Sequence, residues 1–331
     1  MIRLVQLRRG GERRAAIVEE PSLQLLDAES VYALANTAIA RSSSLSAVVE
    51  DSLSGNTLDY DEVYAGESPW QVMTPIDHPR ESSRCLVSGT GLTHLGSAAN
   101  RNAMHGKNED ELTDSMRMFR AGLDGGRPKA GCTGVPPEWF YKGTGAMLRA
   151  HGEPLVVPPY AGDGGEEAEI AGMYIIDPHG RPRRVGMAAG NEFSDHTFEK
   201  TNYLNLASSK LRMCAIGPEL VIDPDFQFVP GHVSIERAGR TLWQKRIASG
   251  EAEMCHSLAN IEHHHFKFEG HRLAGDVHVH FYGAHSLSFG DGIELADGDV
   301  MVVQFAGFGR PLRNPLKKAV QDGALVTAAP L

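Results

Sequence analysis

Residues 164–170 read Gly164-Gly165-Glu166-Glu167-Ala168-Glu169-Ile170 and lead into an apolar run that ends at Ile176. Side chains alternate between the two faces of a β-strand, so Glu167 and Glu169 are expected on the same side. Two adjacent carboxylates repel each other unless their face is fully solvated or a cation lies between them. A very apolar strand follows directly, which favours the cation over a solvated acidic edge. Carboxylate oxygens are the ligands that Mg²⁺ prefers.

A third acidic residue, Glu192, lies in the sequence Gly190-Asn191-Glu192-Phe193-Ser194-Asp195-His196, directly after the next predicted strand at 183–189. A turn at 178–182 between the two strands would bring Glu192 back beside the first pair. Three carboxylates would leave about three of the six Mg²⁺ positions for water or substrate. We therefore predict a Mg²⁺ or Mn²⁺ site formed by Glu167, Glu169 and Glu192, since oxygen ligands accept both ions.

The remainder of the chain has many strand patterns and few helical ones. Apolar-rich runs recur at 173–176, 183–189, 219–222, 233–237, 277–281 and 300–305, and the clearest helical pattern covers 197–210. Strands and helices do not alternate as in a parallel α/β sheet, and the sequence has no GxGxxG or Walker motif. The pattern predicts an α+β protein with a large β-sandwich or β-roll body.

The N-terminal part is predicted to form a small α+β module, residues 1–78, in front of a catalytic domain, residues 79–331. Residues 2–7 and 15–18 have the pattern of a hairpin, and helical spacing follows at 27–40 and 44–53. Three prolines and a glycine between residues 66 and 80 indicate a linker.

Composition excludes several classes of partner. The net charge of −10 and the pI near 5.8 argue against nucleic acid, which requires a concentrated basic surface. The four cysteines form no CxxC pair, which favours free thiols in a reducing compartment. No apolar run is long enough for a membrane span, and no signal peptide is visible at the N-terminus. We expect a cytoplasmic protein without a membrane partner.

The acidic motifs resemble those of the fumarylacetoacetate hydrolase family, whose members carry an ExE pair on one strand and a Gly-Asn-acid motif on the next. Lys210, followed by Gly217-Pro218, and the segment 275–283 are also similar to family motifs. The resemblance covers about residues 84–310. It implies a β-roll-like catalytic domain, bound Mg²⁺ or Mn²⁺ and a homodimer. Because the third ligand in the family is usually Asp, Asp195 is the alternative to Glu192.

The segment after residue 90 is similar to one branch of this family. Hydrolases of acylpyruvates carry a His-x-x-Glu pair there, but this sequence has Ser97 and Asn100, and neither is a good general base. Gly91, Thr93, Ser97 and Arg101 match the branch that dehydrates 2-keto-3-deoxy sugar acids. The resemblance implies dehydration of a pentonate such as 2-keto-3-deoxy-L-arabinonate to 2-oxoglutarate semialdehyde, in non-phosphorylating sugar catabolism.

Three alternatives stay open, and one of them is decarboxylase or isomerase chemistry at the same site. His105 and Glu109 could form a different dyad, which would suit a hydrolase that releases pyruvate from a 2,4-diketo-3-deoxy sugar acid. A non-catalytic sugar-acid-binding protein would require a site without metal, and three converging carboxylates argue against it.

For the dehydratase, the resemblance implies a set of site residues around a small 2-keto acid substrate. Lys210 would orient the substrate carboxylate, or act as an acid–base group if burial near the metal lowers its pKa. The predicted catalytic residues are Lys210, Ser97 and His94, and the predicted substrate contacts are Arg101, Lys142, Thr93, His280 and Gly283. The run at 263–265 is three histidines, which on a strand would alternate between faces, so that at most two could share one ion; they are interpreted as structural or surface residues.

Overall fold

The computed structural model describes residues 1–96, 114–320 and 325–331, and strands dominate it. Within these ranges the strands are β1 (Arg3–Arg9), β2 (Glu12–Glu19), β3 (Ser22–Leu26), β4 (Leu53–Asp59), β5 (Gln71–Val72), β6 (Cys85–Gly91), β7 (Glu138–Thr144), β8 (Leu148–Arg149), β9 (Leu155–Val157), β10 (Ala168–Ile176), β11 (Pro182–Asn191), β12 (Cys214–Ile216), β13 (Leu220–Val221), β14 (Val229–Arg237), β15 (Arg240–Ser249), β16 (Val277–Phe281), β17 (Val300–Phe305) and β18 (Leu312–Lys318). The α-helices are α1 (Val31–Arg41), α2 (Leu45–Asp51), α3 (Tyr60–Ala65), α4 (Asp114–Gly125), α5 (His196–Thr201), α6 (Leu206–Ser209) and α7 (Leu258–Phe266). This sheet-dominated α+β architecture agrees with the predicted class.

The strands form two sheets. The larger follows the order β4-β3-β2-β1-β13-β11-β10-β16-β6-β7, with β5, β8 and β12 attached beside this path. The smaller follows the order β15-β14-β17-β18-β9. Strand β10 therefore lies inside the larger sheet, between β11 and β16.

The N-terminal segment joins this larger sheet directly. The predicted hairpin is present as β1 and β2, and helices α1 and α2 begin after the N-caps Ser30 and Ser44. Strand β1 pairs antiparallel with β13, with Leu4 opposite Leu220. The same sheet thus crosses the predicted boundary at residues 78/79, and the division into two domains stays a prediction.

Two predicted elements differ from the structure. The single helix expected over 197–210 is broken, because Asn202 adopts an extended backbone and its side chain caps the short turn at Tyr203–Asn205. The histidines at 263–265 lie in helix α7 and not on a strand, so they do not alternate between two faces of a sheet as predicted. Ser257 caps this helix, and His263 is exposed while the two histidines after it are buried.

The two faces of the larger sheet pack against different cores. On β10, Ala171, Met173 and Ile175 join a core that includes helices α1 and α2. Ile170 contributes to the opposite core, which includes the smaller sheet. Glu169 is an odd-numbered position of the same strand and shares the side of Ala171. None of the helices in the described ranges has the length and apolar character needed to cross a membrane.

Candidate metal and catalytic site

The β10–β11 hairpin brings the three predicted carboxylates together. A turn at 177–181 reverses the chain, with Gly180 N donating to the Asp177 carbonyl at 2.9 Å. At the far end, Glu192 N donates to the Glu167 carbonyl at 2.9 Å, so Glu192 lies directly across from Glu167. Glu167, Glu169 and Glu192 are buried, and one carboxylate oxygen from each lies within 4.8 Å of the others.

Two buried lysines neutralise part of this negative charge. The Lys210 Nζ is 2.5 Å from Glu167 Oε1 and 2.6 Å from Glu192 Oε2, and it donates to Ser194 Oγ at 3.0 Å. The Lys142 Nζ is 2.5 Å from Glu192 Oε1 and donates to the carbonyls of Glu192 and Phe193. Among the described residues the acceptors of Lys210 are all side chains, whereas Lys142 is also fixed by backbone oxygens.

Further polar groups fix the carboxylates in place. His196 Nε2 is 3.1 Å from Glu167 Oε1, and Ser194 Oγ is 3.2 Å from both carboxylate oxygens of Glu192. Ser194 lies two positions and His196 four positions after Glu192. Alternate residues of an extended segment share a face, and this pattern over 190–196 could have identified both, but they were not among the predicted site residues.

Gly283 supports the third carboxylate through its backbone. Its N–H donates to Glu169 Oε2 at 2.7 Å. The residue has φ of 108°, and a Cβ there would lie 2.1 Å from Thr93 Oγ1, whose hydroxyl donates to the Tyr282 carbonyl. Only glycine fits this position, because both the backbone conformation and the space exclude a side chain. The structure therefore places the predicted residues Gly283 and Thr93 in one packed unit beside Glu169.

The electrostatics of the cluster are unequal. Burial alone would raise the pKa of Glu167, but Lys210 and His196 hold the pKa of Glu167 well below its ordinary value. Burial, together with the charges of Glu192 and Glu167, raises the pKa of Glu169 well above its ordinary value. Burial disfavours the charged amine of Lys210, yet the carboxylates of Glu167 and Glu192 outweigh it and raise the pKa of Lys210 well above normal. The lowered pKa considered for Lys210 from the sequence is thus not found.

The residues fit an oxygen-coordinated divalent cation. The two buried ammonium groups contact Glu167 and Glu192, and neither lysine pairs with Glu169, whose pKa is raised because its buried carboxylate lies beside the other two. The donor set consists of carboxylate oxygens only, the set that Mg²⁺ and Mn²⁺ select. A cation bound by Glu167, Glu169 and Glu192 would offset both the burial and the repulsion that raise the Glu169 pKa.

Asp195, the alternative third ligand, has other partners. Its carboxylate accepts from the backbone N–H of Phe198 at 2.9 Å and of Gly162 at 3.0 Å, and it pairs with Arg212 at 3.1 Å. It therefore caps helix α5 and anchors the neighbouring loop. Asp195 is therefore held by other groups, and Glu192 is the residue of this motif that converges with Glu167 and Glu169.

His280 does not face the carboxylates, contrary to the sequence prediction. It pairs with Gly172, whereas Phe281 pairs with Ala171 on the side of Glu169. Paired residues share a face, so His280 points to the opposite side of the sheet. There the Ser88 hydroxyl contacts His280 Nδ1 at 2.8 Å.

Beside it, His278 Nδ1 lies 3.0 Å from His265 Nε2. Burial lowers the pKa of both His278 and His280 to about 3. This histidine cluster is buried and packed between β16 and α7.

Other predicted residues fall in different places. His94 is buried and its ring packs edge-on against His285, with centroids 4.8 Å apart. Lys142, predicted to contact substrate, has its amine fixed by the Glu192 carboxylate and by the carbonyls of Glu192 and Phe193. Ser97 and Arg101 lie outside the described residues, as do His105 and Glu109 of the alternative dyad.

Comparison with known proteins gives a fold and no sequence family. No protein-family profile matches the chain, and no curated protein matches it. Among solved structures, the apo form of 2-keto-3-deoxy-D-arabinonate dehydratase aligns with a TM-score of 0.71 at 18% identity, covering 96% of this chain and 100% of that one. The same enzyme complexed with magnesium and 2,5-dioxopentanoate aligns with a TM-score of 0.70, at the same identity and coverage.

A solved isomerase also aligns with this chain, with a lower TM-score. The 2-hydroxyhepta-2,4-diene-1,7-dioate isomerase from Mycobacterium marinum aligns with a TM-score of 0.58 at 16% identity, covering 97% of this chain and 100% of that one. At these identities the likeness establishes the fold and not the reaction. The resemblance predicted from the motifs is confirmed at the level of the fold, which the chain shares with a solved sugar-acid dehydratase and a solved isomerase.

Proposed function

We propose that this protein is a Mg²⁺- or Mn²⁺-dependent dehydratase of a 2-keto-3-deoxy sugar acid, with a pentonate as substrate and 2-oxoglutarate semialdehyde as product. The observation that carries the proposal is the convergence of three buried carboxylates, with the Lys210 amine in contact with two of them. When bound, the cation would polarise the 2-keto group and make the protons at C3 more acidic. Loss of a C3 proton and of the C4 hydroxyl as water gives an unsaturated acid, which rearranges through an enol to the aldehyde.

The chain's own residues divide this work. Glu167, Glu169 and Glu192 would hold the cation, and Lys142 and His196 keep two of these carboxylates oriented. If a cation takes over the carboxylates, the Lys210 amine loses two of the three acceptors that the described residues give it. We therefore assign to Lys210 the contact with the substrate carboxylate or the transfer of the C3 proton.

The relatives support a dehydratase over the other reactions of this fold. The solved dehydratase complexed with magnesium and 2,5-dioxopentanoate has a TM-score of 0.70, compared with 0.58 for the M. marinum isomerase. Because 2,5-dioxopentanoate is 2-oxoglutarate semialdehyde, the proposed product is the compound in that complex.

The deciding experiment offers 2-keto-3-deoxypentonates of both C4 configurations to the purified protein, with Mg²⁺ and with EDTA. Semialdehyde is followed by coupling to an aldehyde dehydrogenase. We expect formation with one configuration only, abolished by EDTA and by Glu169→Gln. No semialdehyde with either substrate, together with pyruvate release from a 2,4-diketo-3-deoxy acid, would replace the dehydratase with the hydrolase.

We also propose that the protein is a homodimer, as the motif resemblance implies. Light scattering on the purified chain measures this directly, and a mass near 35.9 kDa in solution would contradict it.

A further inference from the structure

A second group of potential metal ligands lies apart from the three glutamates. It consists of His94 after strand β6, Glu253 in the short turn at 251–253, and His285 after strand β16. One ring nitrogen from each histidine and one oxygen from Glu253 lie within 4.8 Å of one another. The three residues belong to segments distant in sequence, so only the fold brings them together.

Two buried nitrogens of this group have no hydrogen-bond partner among the described residues. They are His94 Nε2 and His285 Nδ1, and His94 is 1% exposed. Buried ring nitrogens are ordinarily paired, because burying an unpaired polar atom costs about 1–3 kcal/mol. A bound ion would give both nitrogens a partner.

The rings are held in place and stay neutral. The His285 ring packs so closely that a Cβ on Gly96 would lie 2.7 Å from it. Burial is the main cause, and the charge of the neighbouring His285 the second cause, that lowers the pKa of His94 to about 4. Burial also lowers the pKa of His285, although Glu253 opposes that shift. Neutral imidazole is the form that binds metal ions.

The backbone supplies further groups at this location. The backbone of Ala248 acts on both histidines and partly opposes the lowering of their pKa, but it makes no hydrogen bond of ordinary geometry to His94 Nε2 or His285 Nδ1. Gly96 N donates to His94 Nδ1 at 3.2 Å, so the single proton of the neutral ring is on Nε2 while no ion is bound. An ion bound at Nε2 would move that proton to Nδ1 and break this long hydrogen bond.

We infer that His94, Glu253 and His285 form a second metal site, specific for a transition ion of the Zn²⁺ class. Two imidazoles and one carboxylate suit Zn²⁺, Co²⁺ or Ni²⁺, whereas Mg²⁺ prefers an all-oxygen site. The two centres therefore select different ions by ligand type. The second site connects the ends of β6 and β16, the strands that carry Thr93 and Gly283 towards Glu169.

The test measures Zn²⁺ uptake by the full chain in excess Mg²⁺, which keeps the glutamate site filled. Every protein in the test carries Cys132→Ser, because Cys132 is the exposed thiol in the described residues. The protein is stripped with chelator, dialysed into Mg²⁺ and titrated with Zn²⁺ against a chromophoric chelator. We expect one tight equivalent per chain, and a d–d absorption band when Co²⁺ replaces Zn²⁺.

Two variants and two controls decide the assignment. Glu253→Gln and His285→Gln alter partly exposed side chains, and we expect each to weaken Zn²⁺ binding by about 10–100-fold or more, the range that loss of a supporting metal-site group already produces. His263→Gln removes an exposed histidine and should leave the affinity unchanged. Glu169→Gln should lose Mg²⁺ but keep Zn²⁺. Absence of a tight Zn²⁺ equivalent in the parent, or equal affinity in Glu253→Gln and His285→Gln, would overturn the inference.

This outcome is independent of the proposed dehydratase. Circular dichroism and the unfolding temperature in EDTA establish that each variant is folded before its affinity is interpreted. The unfolding temperature of the parent should rise with Zn²⁺, because an ion that binds only the folded state stabilises it.

Discussion

Replacement of Lys210 by Met is the most informative change at the glutamate site. The amine contacts Glu167 and Glu192 at 2.5 and 2.6 Å, and its side chain is 4% exposed. Methionine keeps most of the volume and removes the charge. The variant would leave the three carboxylates with Lys142 and His196 as their remaining positive partners.

The size of the effect follows from the burial of the pair. Removing one partner from a buried ion pair typically costs about 3–5 kcal/mol, because the other charge is left uncompensated. Lys142 and His196 retain part of the compensation, so we expect a loss near the lower end, about 3 kcal/mol in the free energy of unfolding, in EDTA. With Mg²⁺ bound, the ion supplies the missing charge, and the loss should fall to about 1 kcal/mol or less.

The assay is urea unfolding of the parent and of Lys210→Met, each in EDTA and in saturating Mg²⁺, with activity measured in parallel. We expect kcat to fall by about 100-fold or more, the usual contribution of a positioned acid–base group. Lys142→Met is the matched control, and its stability loss should persist in Mg²⁺ because two backbone carbonyls also lose their donor. Equal stability losses for Lys210→Met with and without Mg²⁺ would refute the idea that the amine and the ion neutralise the same carboxylates. Full activity would remove the catalytic assignment of Lys210.

Three further predictions concern the surroundings of the site. Gly283→Ala should lower Mg²⁺ affinity at least tenfold in calorimetry, because the added Cβ collides with Thr93 Oγ1 and displaces the N–H that binds Glu169. The control is Gly292→Ala, where φ is also positive but the space around the Cβ is open, and it should leave the affinity unchanged. His278 and His280 stay neutral in the folded state to about pH 3, while in the unfolded chain they take up protons below about pH 6.5. The free energy of unfolding should therefore fall as pH falls from about 6.5 to 3, by about 2 kcal/mol per histidine at pH 5. In urea unfolding, the variant with both histidines replaced by leucine should show a weaker dependence of this free energy on pH. The same pH dependence in the parent and the variant would contradict two buried, neutral histidines. Asp195→Asn should lower the unfolding temperature yet still bind one Mg²⁺ per chain. Loss of Mg²⁺ binding in this variant would instead identify Asp195 as a metal ligand.

The convergence of the three carboxylates could be predicted because their geometry is local. Glu167 and Glu169 share a face through strand parity alone. Glu192 lies opposite Glu167 because a short turn joins two adjacent antiparallel strands. Each step depends on residues within one hairpin, so no knowledge of the remaining fold was needed.

The roles of the surrounding residues could not be predicted in this way. Lys142 was expected to contact substrate, but 50 residues separate it from Glu192, and only the packing of β7 near the hairpin shows that they pair. The face of His280 depends on a single register between β16 and β10, and a shift by one residue would reverse it. A strand motif predicts which residues share a face but not which face meets the site.

By itself, then, the sequence determined the sheet-rich α+β class, the N-terminal hairpin and the three carboxylates, all of which follow from backbone periodicity over short spans. Tertiary structure alone decided that Lys210 and Lys142 both contact Glu192, that Gly283 binds Glu169 from 114 residues away, and that His94 meets Glu253 and His285. The physical reason is that such contacts depend on strand register and on the relative position of distant segments. These are fixed by the packing of the whole core and leave no periodic signal in the chain.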